Sequence, residues 1–327
     1  MRNYKPILVV PGSPRSIFYE ILFKALKKKK IKAPIIIIGN KKDLLKSSKK
    51  MCPKFKIILK KKSELKKGIV LKNLDNLSAY LIDVPKFSTN NSGNKKKNYN
   101  KYIKDCFDIS FQLILSGFTS KLLNGPINKE EFLEKKFLGI TEYIAAKFKI
   151  KNFAMLILNK HLTVCPITTH LPIKIVNKNI SKKLIIRKIL IINQFFKKFL
   201  DKKPKIAVTG LNPHCETIHK FDEDKKIILP AINILKNKGI NLEGPFSADT
   251  IFLKKNREKF NVIIGMYHDQ VIGPLKTLFE HDAINITAGL PFLRVSPDHG
   301  PNVNMIGRNK SNPISLIRAL EFLDKNW

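Results

Sequence analysis

The sequence predicts an α/β protein built as two lobes, and three features carry this reading. Short β-branched runs alternate with amphipathic stretches along the chain, the pattern of strands followed by covering helices. The length of 327 residues, with 43% hydrophobic content, suits two α/β lobes better than one compact domain. Polar, chemically capable side chains cluster just after predicted strands, where open α/β sheets place their ligands.

The elements follow in order. Ile7 to Val10 reads as a first strand, ended by Pro11-Gly12, and FYEILFKALKK as the helix after it. Ile35 to Ile38 is a second buried strand, ended by Gly39-Asn40. From Lys41 to Asn100 the pattern weakens, and STNNSGNKKKNYN reads as a mobile surface loop. KDCFDISFQLILSG has a helical period, and KLLNGPINK is a strand running into a turn. NFAMLILN and LTVCPITTHL form a strand pair with Lys160-His161 at the turn. Ile185, Ile189, Ile192, Phe196 and Phe199 mark one face of a helix. KIAVTGLNPH is a strand ending in a polar loop, and KKIILPAINILKNKG a helix closed by Gly239. VIIGMYHDQ is a strand ending in polar residues, and AINITAGLPF another strand and loop. Asn312 and Pro313 cap and start a last helix, ISLIRALEFLDK. The lobes are expected at 1–128 with 286–327, and at 129–285.

Charge is the oddest global feature: 62 Lys and Arg against 25 Asp and Glu, a net +37. Such a balance usually points to nucleic acid or an anionic membrane. Here the lysines fall in short runs along the whole chain, with no RNA-binding aromatic motif or zinc-finger spacing. The excess of Lys, Ile and Asn is what AT-rich codons encode, so solvated surface lysine is the favoured reading and a nucleic-acid site the disfavoured one. Cys52, Cys106, Cys165 and Cys215 fit no CxxC pair or small disulfide framework, which suits reduced thiols in the cytoplasm. No signal peptide opens the chain, and no apolar run approaches the ~20 residues of a membrane span.

Three histidines fall at equivalent places on three strands. His170 follows VCPITT, His214 follows IAVTGLNP, and His268 follows VIIGMY. Three neutral imidazoles with open positions suit a catalytic divalent metal; singly, each is more often a hydrogen-bonded loop histidine. Lys276, Asn285 and Arg294 add a cation, an amide and a guanidinium, which suit an anionic, phosphorylated substrate. Asp249 and Asp269 are candidates to orient metal ligands, with a helix cap and a strand-end turn as the plainer readings.

These segments, in series, resemble the 4-hydroxythreonine-4-phosphate dehydrogenase (PdxA) family: TTHLPI (168–173), GLNPH (210–214), GP-x-x-ADT (244–250), MYHDQ (266–270), Lys276, NITAGLPFLR (285–294) and DHG (298–300). The likeness runs from about Asn124 to the C-terminus. It implies the two-lobed isocitrate/isopropylmalate dehydrogenase-like fold, with the active site in the interdomain cleft and no GxGxxG. It implies His170, His214 and His268 as metal ligands and, with Lys276, as the catalytic set. Thr141, Lys276, Asn285 and Arg294 would bind substrate, and Asp298, His299 and Gly300 the cofactor. The cofactors implied are NAD, with NADP as the alternative, and one divalent ion: zinc, cobalt or magnesium. The partner implied is a second copy, in a homodimer with a shared active site.

The activity implied is oxidation of 4-hydroxythreonine 4-phosphate (4-phosphooxy-L-threonine) to a β-keto acid. This acid loses carbon dioxide to give 3-amino-2-oxopropyl phosphate, on the way to pyridoxine 5'-phosphate. Alternatives are a sister dehydrogenase of threonate or erythronate 4-phosphate, and a nucleic-acid-binding protein on a decayed enzyme scaffold. The chain departs from the family at Ile140, where a histidine is usual, and at Asn124, where a threonine is usual. It departs again at GSPRSIFY in place of a glycine-rich start, and at Pro301, Asn302 and Asn304.

Overall fold

Continuous apolar runs become parallel strands covered on both faces, and this sets the architecture. In the computed structural model, residues 4–72, 74–75, 77–86, 95–133, 136–218 and 221–325 are described. The chain divides into two compact units, Met1–Ile140 with Pro291–Trp327, and Thr141–Leu290.

The first unit holds strands β1 (Ile7–Val10), β2 (Ile35–Gly39), β3 (Lys56–Leu59), β4 (Ser78–Asp83), β5 (Lys121–Asn124) and β12 (Leu293–Pro297). Their order is β3-β4-β2-β1-β5-β12, and every pairing is parallel. Helices α1 (Phe18–Lys28), α2 (Lys41–Met51) and α3 (Lys95–Leu115) follow β1, β2 and β4, and the last helix of the chain, Ile314–Asp324, packs on β12. β1 and β2 are buried almost along their whole length.

The second unit holds β6 (Ala154–Leu158), β7 (Thr163–Pro166), β8 (Ile206–Thr209), β9 (Leu242–Phe246), β10 (Val262–Gly265) and β11 (Ile284–Ala288). Their order is β11-β6-β7-β10-β8-β9. β7, β10, β8 and β9 run parallel, while β6 is antiparallel to both neighbours. Its longer helices are α4 (Ile140–Lys147), α5 (Lys182–Phe199), α6 (Leu229–Asn237) and α7 (His268–Phe279). Val271, Ile272 and Leu275 of α7 join a core with Val164, Ala207 and Ile263 from β7, β8 and β10. This burial anchors α7 along one face and leaves its first residue, His268, at the strand ends.

Several expectations shift. The stretch after Lys41 is ordered as α2, β3 and β4. Its low apolar contrast hid them: α2 buries only Leu44 and Ser48, and β3 leaves Lys56, Ile58 and Leu59 exposed. Of the expected mobile loop, Ser88 to Asn94 lies outside the described residues, and Lys95 to Asn100 is the start of α3. The unit boundaries fall at 140/141 and 290/291. Asn100 of α3 holds the carbonyl of Glu131, which ties that segment to the first unit, while β11 pairs along its whole length with β6. Asp269 and Gln270 lie in the first turn of α7, not in a strand-end turn. All four cysteines are free. Among the described residues, no helix is long and apolar enough to cross a membrane.

Candidate active site

Three adjacent parallel strands bring the three histidines to one end of the sheet. β10 lies between β7 and β8, with Ile263 beside Val164 on one side and Ala207 on the other. Chains leaving these strands in the same direction must deliver their next residues to the same rim. His170 lies four residues past β7, His268 three past β10 and His214 five past β8.

The rings of His170 and His268 come together, with centroids 5.9 Å apart. Both are partly open to solvent, at 25% and 37%. Each has a carboxylate beside Nδ1. Asp269 Oδ1 lies 2.6 Å from His268 Nδ1, and Glu142 Oε1 lies 3.8 Å from His170 Nδ1. At His268 the 2.6 Å acceptor at Nδ1 favours the tautomer that leaves Nε2 with its lone pair, as a metal-binding imidazole requires, whereas Glu142, beyond hydrogen-bond distance, sets a carboxylate charge beside His170. Burial pushes the Glu142 carboxyl up, but His170, the helix N–H and Thr169 outweigh it and hold it below its ordinary value.

His214 is exposed, in a short turn where it and Cys215 adopt left-handed backbone, φ 54° and 63°. Asp224 braces this loop, accepting from the backbone N–H of Leu211 at 2.7 Å and of Asn212 at 3.1 Å. Among the described residues of one chain, no group of three His, Cys, Asp or Glu is placed to hold a metal ion. A single chain presents a pair of imidazoles and, on the next strand, a third.

The remaining sequence-derived residues divide between the units. Thr141 is buried in the first turn of α4, its hydroxyl 3.5 Å from that of Thr287. Asn285 is half-buried on β11, and Lys276 half-buried near the end of α7, about 12 Å along the axis from His268. In the first unit, Arg294 is fully buried on β12 and donates from Nε to Asn124 Oδ1 at 2.7 Å. The backbone N–H of Asp298 donates to Ser315 Oγ, His299 Nδ1 lies 2.9 Å from the Gly300 carbonyl, and Gly300 is exposed.

Sequence reasoning missed the residues that shape this rim. Glu142 directly follows the predicted Thr141. Gln270 ends the MYHDQ segment, where its burial at 7% is legible only from the helical register. Asp224 sits in no motif, and no signal in the chain marks it.

The donor chemistry fits a divalent cation: imidazoles with carboxylates behind them, at a rim partly open to solvent. Comparisons with known proteins agree with the fold and narrow the chemistry. Residues 30–323 match the family described as pyridoxal phosphate biosynthetic protein PdxA. The chain is 39% identical to a 4-hydroxythreonine-4-phosphate dehydrogenase of Sulfurihydrogenibium sp. (strain YO3AOP1), over 96% of each chain. A crystal structure of 4-hydroxythreonine-4-phosphate dehydrogenase from Klebsiella pneumoniae superposes with a TM-score of 0.82 at 27% identity, covering 98% of this chain and 97% of that one. A β-decarboxylating dehydrogenase from Thermococcus kodakarensis, 12% identical, shares the fold at a TM-score of 0.52, over 97% of this chain and 81% of that one.

Proposed function

The chain belongs to the PdxA family of pyridoxal phosphate biosynthetic proteins, and from that premise we propose how its residues divide the work. It is an oxidoreductase acting on a secondary alcohol, 4-hydroxythreonine 4-phosphate, in pyridoxine biosynthesis. The product is a β-keto acid that loses carbon dioxide to give 3-amino-2-oxopropyl phosphate. The threonate or erythronate alternative is not favoured, since the relatives carry the amino-substrate name.

The observation that carries the site assignment is the His170–His268 pair, 5.9 Å apart at the ends of neighbouring parallel strands. These two residues and His214 would hold the cation. When bound, a divalent ion supplies Lewis acidity to the substrate hydroxyl, and NAD supplies the hydride acceptor. Asp269 keeps the His268 lone pair aimed outward, and Glu142 sets a negative charge beside His170. Lys276, Asn285, Arg294 and Thr141 grip the phosphorylated substrate, so remote binding energy positions the reacting carbon. Asp298, His299 and Gly300 bind the cofactor.

Two copies complete the site. Among the described residues of one chain, the third imidazole forms no group of three with the first two, and exposed apolar side chains follow it in sequence, Ile218 at 102% and Phe221 at 53%. Exposed apolar side chains together with a site that one chain leaves incomplete support pairing. The working compartment is the cytoplasm.

The test is NADH formation from 4-hydroxythreonine 4-phosphate, with and without chelator, beside threonate 4-phosphate. Turnover of the amino substrate, lost with chelator and restored by zinc, cobalt or magnesium, is expected. Equal turnover with chelator present, or preference for the non-amino acid, would sink the assignment.

A further inference from the structure

One buried amide laces together the loops that carry all three histidines. Gln270 sits in the first turn of α7 and is 7% exposed. Its Oε1 accepts from the backbone N–H of Met266 at 2.6 Å and from Thr209 Oγ1 at 3.0 Å, and its Nε2 donates to the carbonyl of Gly210 at 2.8 Å. Met266 directly follows β10, two residues before His268; Thr209 ends β8, and Gly210 opens the loop that leads to His214. The other side of Met266 is held as well: its carbonyl accepts from Thr168 Oγ1 at 2.8 Å and from the Thr168 backbone N–H at 3.1 Å, two residues before His170. The chain of contacts thus runs Thr168, Met266, Gln270, Thr209 and Gly210, across β7, β10 and β8.

We infer that Gln270 is a positioning residue that sets the spacing of the His170, His268 and His214 loops, and so the metal affinity of the site. No other common side chain meets this demand. The position needs two acceptor directions and one donor on a single short, planar, uncharged group, which describes a carboxamide. A glutamate would place an acceptor against the Gly210 carbonyl, and a methionine would leave a buried N–H, a hydroxyl and a carbonyl without partners. The backbone is shaped to admit the amide: a Cβ on Gly265 would lie 2.9 Å from Gln270 Oε1 and 2.4 Å from Val271 Cγ1. Polar contacts this short in a dry setting hold geometry to the tolerance a metal site needs, since misplaced donors lose affinity steeply. Whichever copy each imidazole serves, the clamp acts within one chain and fixes where that chain offers its donors.

The inference rests on the metal reading above, and the experiment separates the two. Cobalt(II) is titrated into the full-length, metal-stripped protein, reading affinity by calorimetry and ligand geometry by visible absorption, for the wild type, His268→Ala, Gln270→Met and Thr209→Val. The wild type should bind cobalt, and His268→Ala should abolish binding. Gln270→Met should weaken binding at least tenfold and change the absorption band. Thr209→Val, which removes one strut and keeps the shape, should weaken it several-fold, with a metal-free unfolding temperature close to wild type. A wild type that binds no cobalt overturns the metal reading and this inference together. Wild-type affinity and spectrum in both folded clamp variants overturn the inference alone. If Gln270→Met does not fold, Thr209→Val decides between the two results.

Discussion

The guanidinium of Arg294, fully buried on β12, donates from Nε to the side-chain oxygen of Asn124 at 2.7 Å. Asn124 in turn donates from Nδ2 to the Gly125 carbonyl at 2.9 Å, so the amide is oriented before it meets the cation. A buried guanidinium that loses such a partner retains its desolvation cost. Asn124→Ala should destabilise the protein by about 2–4 kcal/mol in urea unfolding and raise KM for the phosphorylated substrate more than it lowers kcat. An unchanged urea midpoint would show that other groups hold Arg294. Asn124→Thr, which keeps a hydroxyl able to accept from the guanidinium, should cost less than Asn124→Ala.

The His268 imidazole and the carboxylate of Asp269 are neighbours in sequence with very different weights. His268→Ala removes a proposed metal ligand and should lower kcat/KM by roughly a thousandfold or more, as loss of a group acting in the transition state does. Asp269 lies 2.6 Å from Nδ1 but is 83% exposed, so water can replace much of what it does. Asp269→Asn should cost about tenfold in metal affinity, at the low end for such partners. A loss of metal affinity in Asp269→Asn as large as in His268→Ala would mean the carboxylate is itself a ligand.

Much of this was legible in the chain, for a reason that the two units make plain. Ile7 to Val10 and Ile35 to Ile38 announce themselves because parallel strands buried on both faces need unbroken apolar runs. The placement of the histidines at one rim was legible because residues that follow parallel strands leave the sheet at the same end. β3 and α2 were not, since edge and surface elements carry little apolar contrast: Leu59 is half exposed, and five of the eleven residues of α2 are lysines. Gln270 and Asp224 were hidden for the opposite reason. Each is a polar residue that holds backbone of another segment, Gln270 the Gly210 carbonyl and Asp224 the N–H groups of Leu211 and Asn212, and no local pattern encodes such a contact.

Ile140, the first residue of α4, stands half-buried beside the buried Thr141, where the resemblance leads one to expect a histidine. An isoleucine offers a bound phosphate no donor. Ile140→His should lower KM for the phosphorylated substrate by about tenfold, the worth of one hydrogen bond to a charged group, with kcat little changed. A KM that stays or rises would show that this chain places the phosphate elsewhere.

Lys121 gives stability a pH dependence of unusual sign. It is fully buried on β5, and its ammonium donates to the Lys325 carbonyl at 2.7 Å. Burial lowers its pKa from 10.5 to about 8, with repulsion from Lys5 adding to the shift and Asp324 opposing it. The native lysine therefore releases its proton at a lower pH than the unfolded one. Between pH 8 and about 10 the unfolded chain binds more protons, so stability rises with pH, by at most about 1.4 kcal/mol per pH unit. Below pH 8 the cost of the buried charge is fully present. Lys121→Met should lose this rise, measured as urea midpoints from pH 7 to 10. Parallel curves for the two proteins would rule out Lys121 as the source.

Gly210 makes the last prediction, because nothing larger fits at the mouth of the His214 loop. A Cβ there would lie 2.5 Å from Asp224 Oδ1 and 2.8 Å from Cys215 Sγ, while the backbone N–H of Gly210 is committed to the Phe246 carbonyl at 2.9 Å. The methyl of Gly210→Ala must displace either the carboxylate that braces Leu211 and Asn212 or the turn that carries His214. Overpacking of this kind costs about 1–3 kcal/mol, and here the displaced part is the one that presents an imidazole. Gly210→Ala should therefore lose metal affinity as well as stability. Asp224→Ala should also loosen the loop, but it removes the atom that the new methyl strikes. The double variant should then be less damaged than the sum of the two singles, a coupling that a double-mutant cycle on unfolding free energy reads directly. Strict additivity would place the clash at Cys215 instead, and Cys215→Ala in the Gly210→Ala background would then recover the loss.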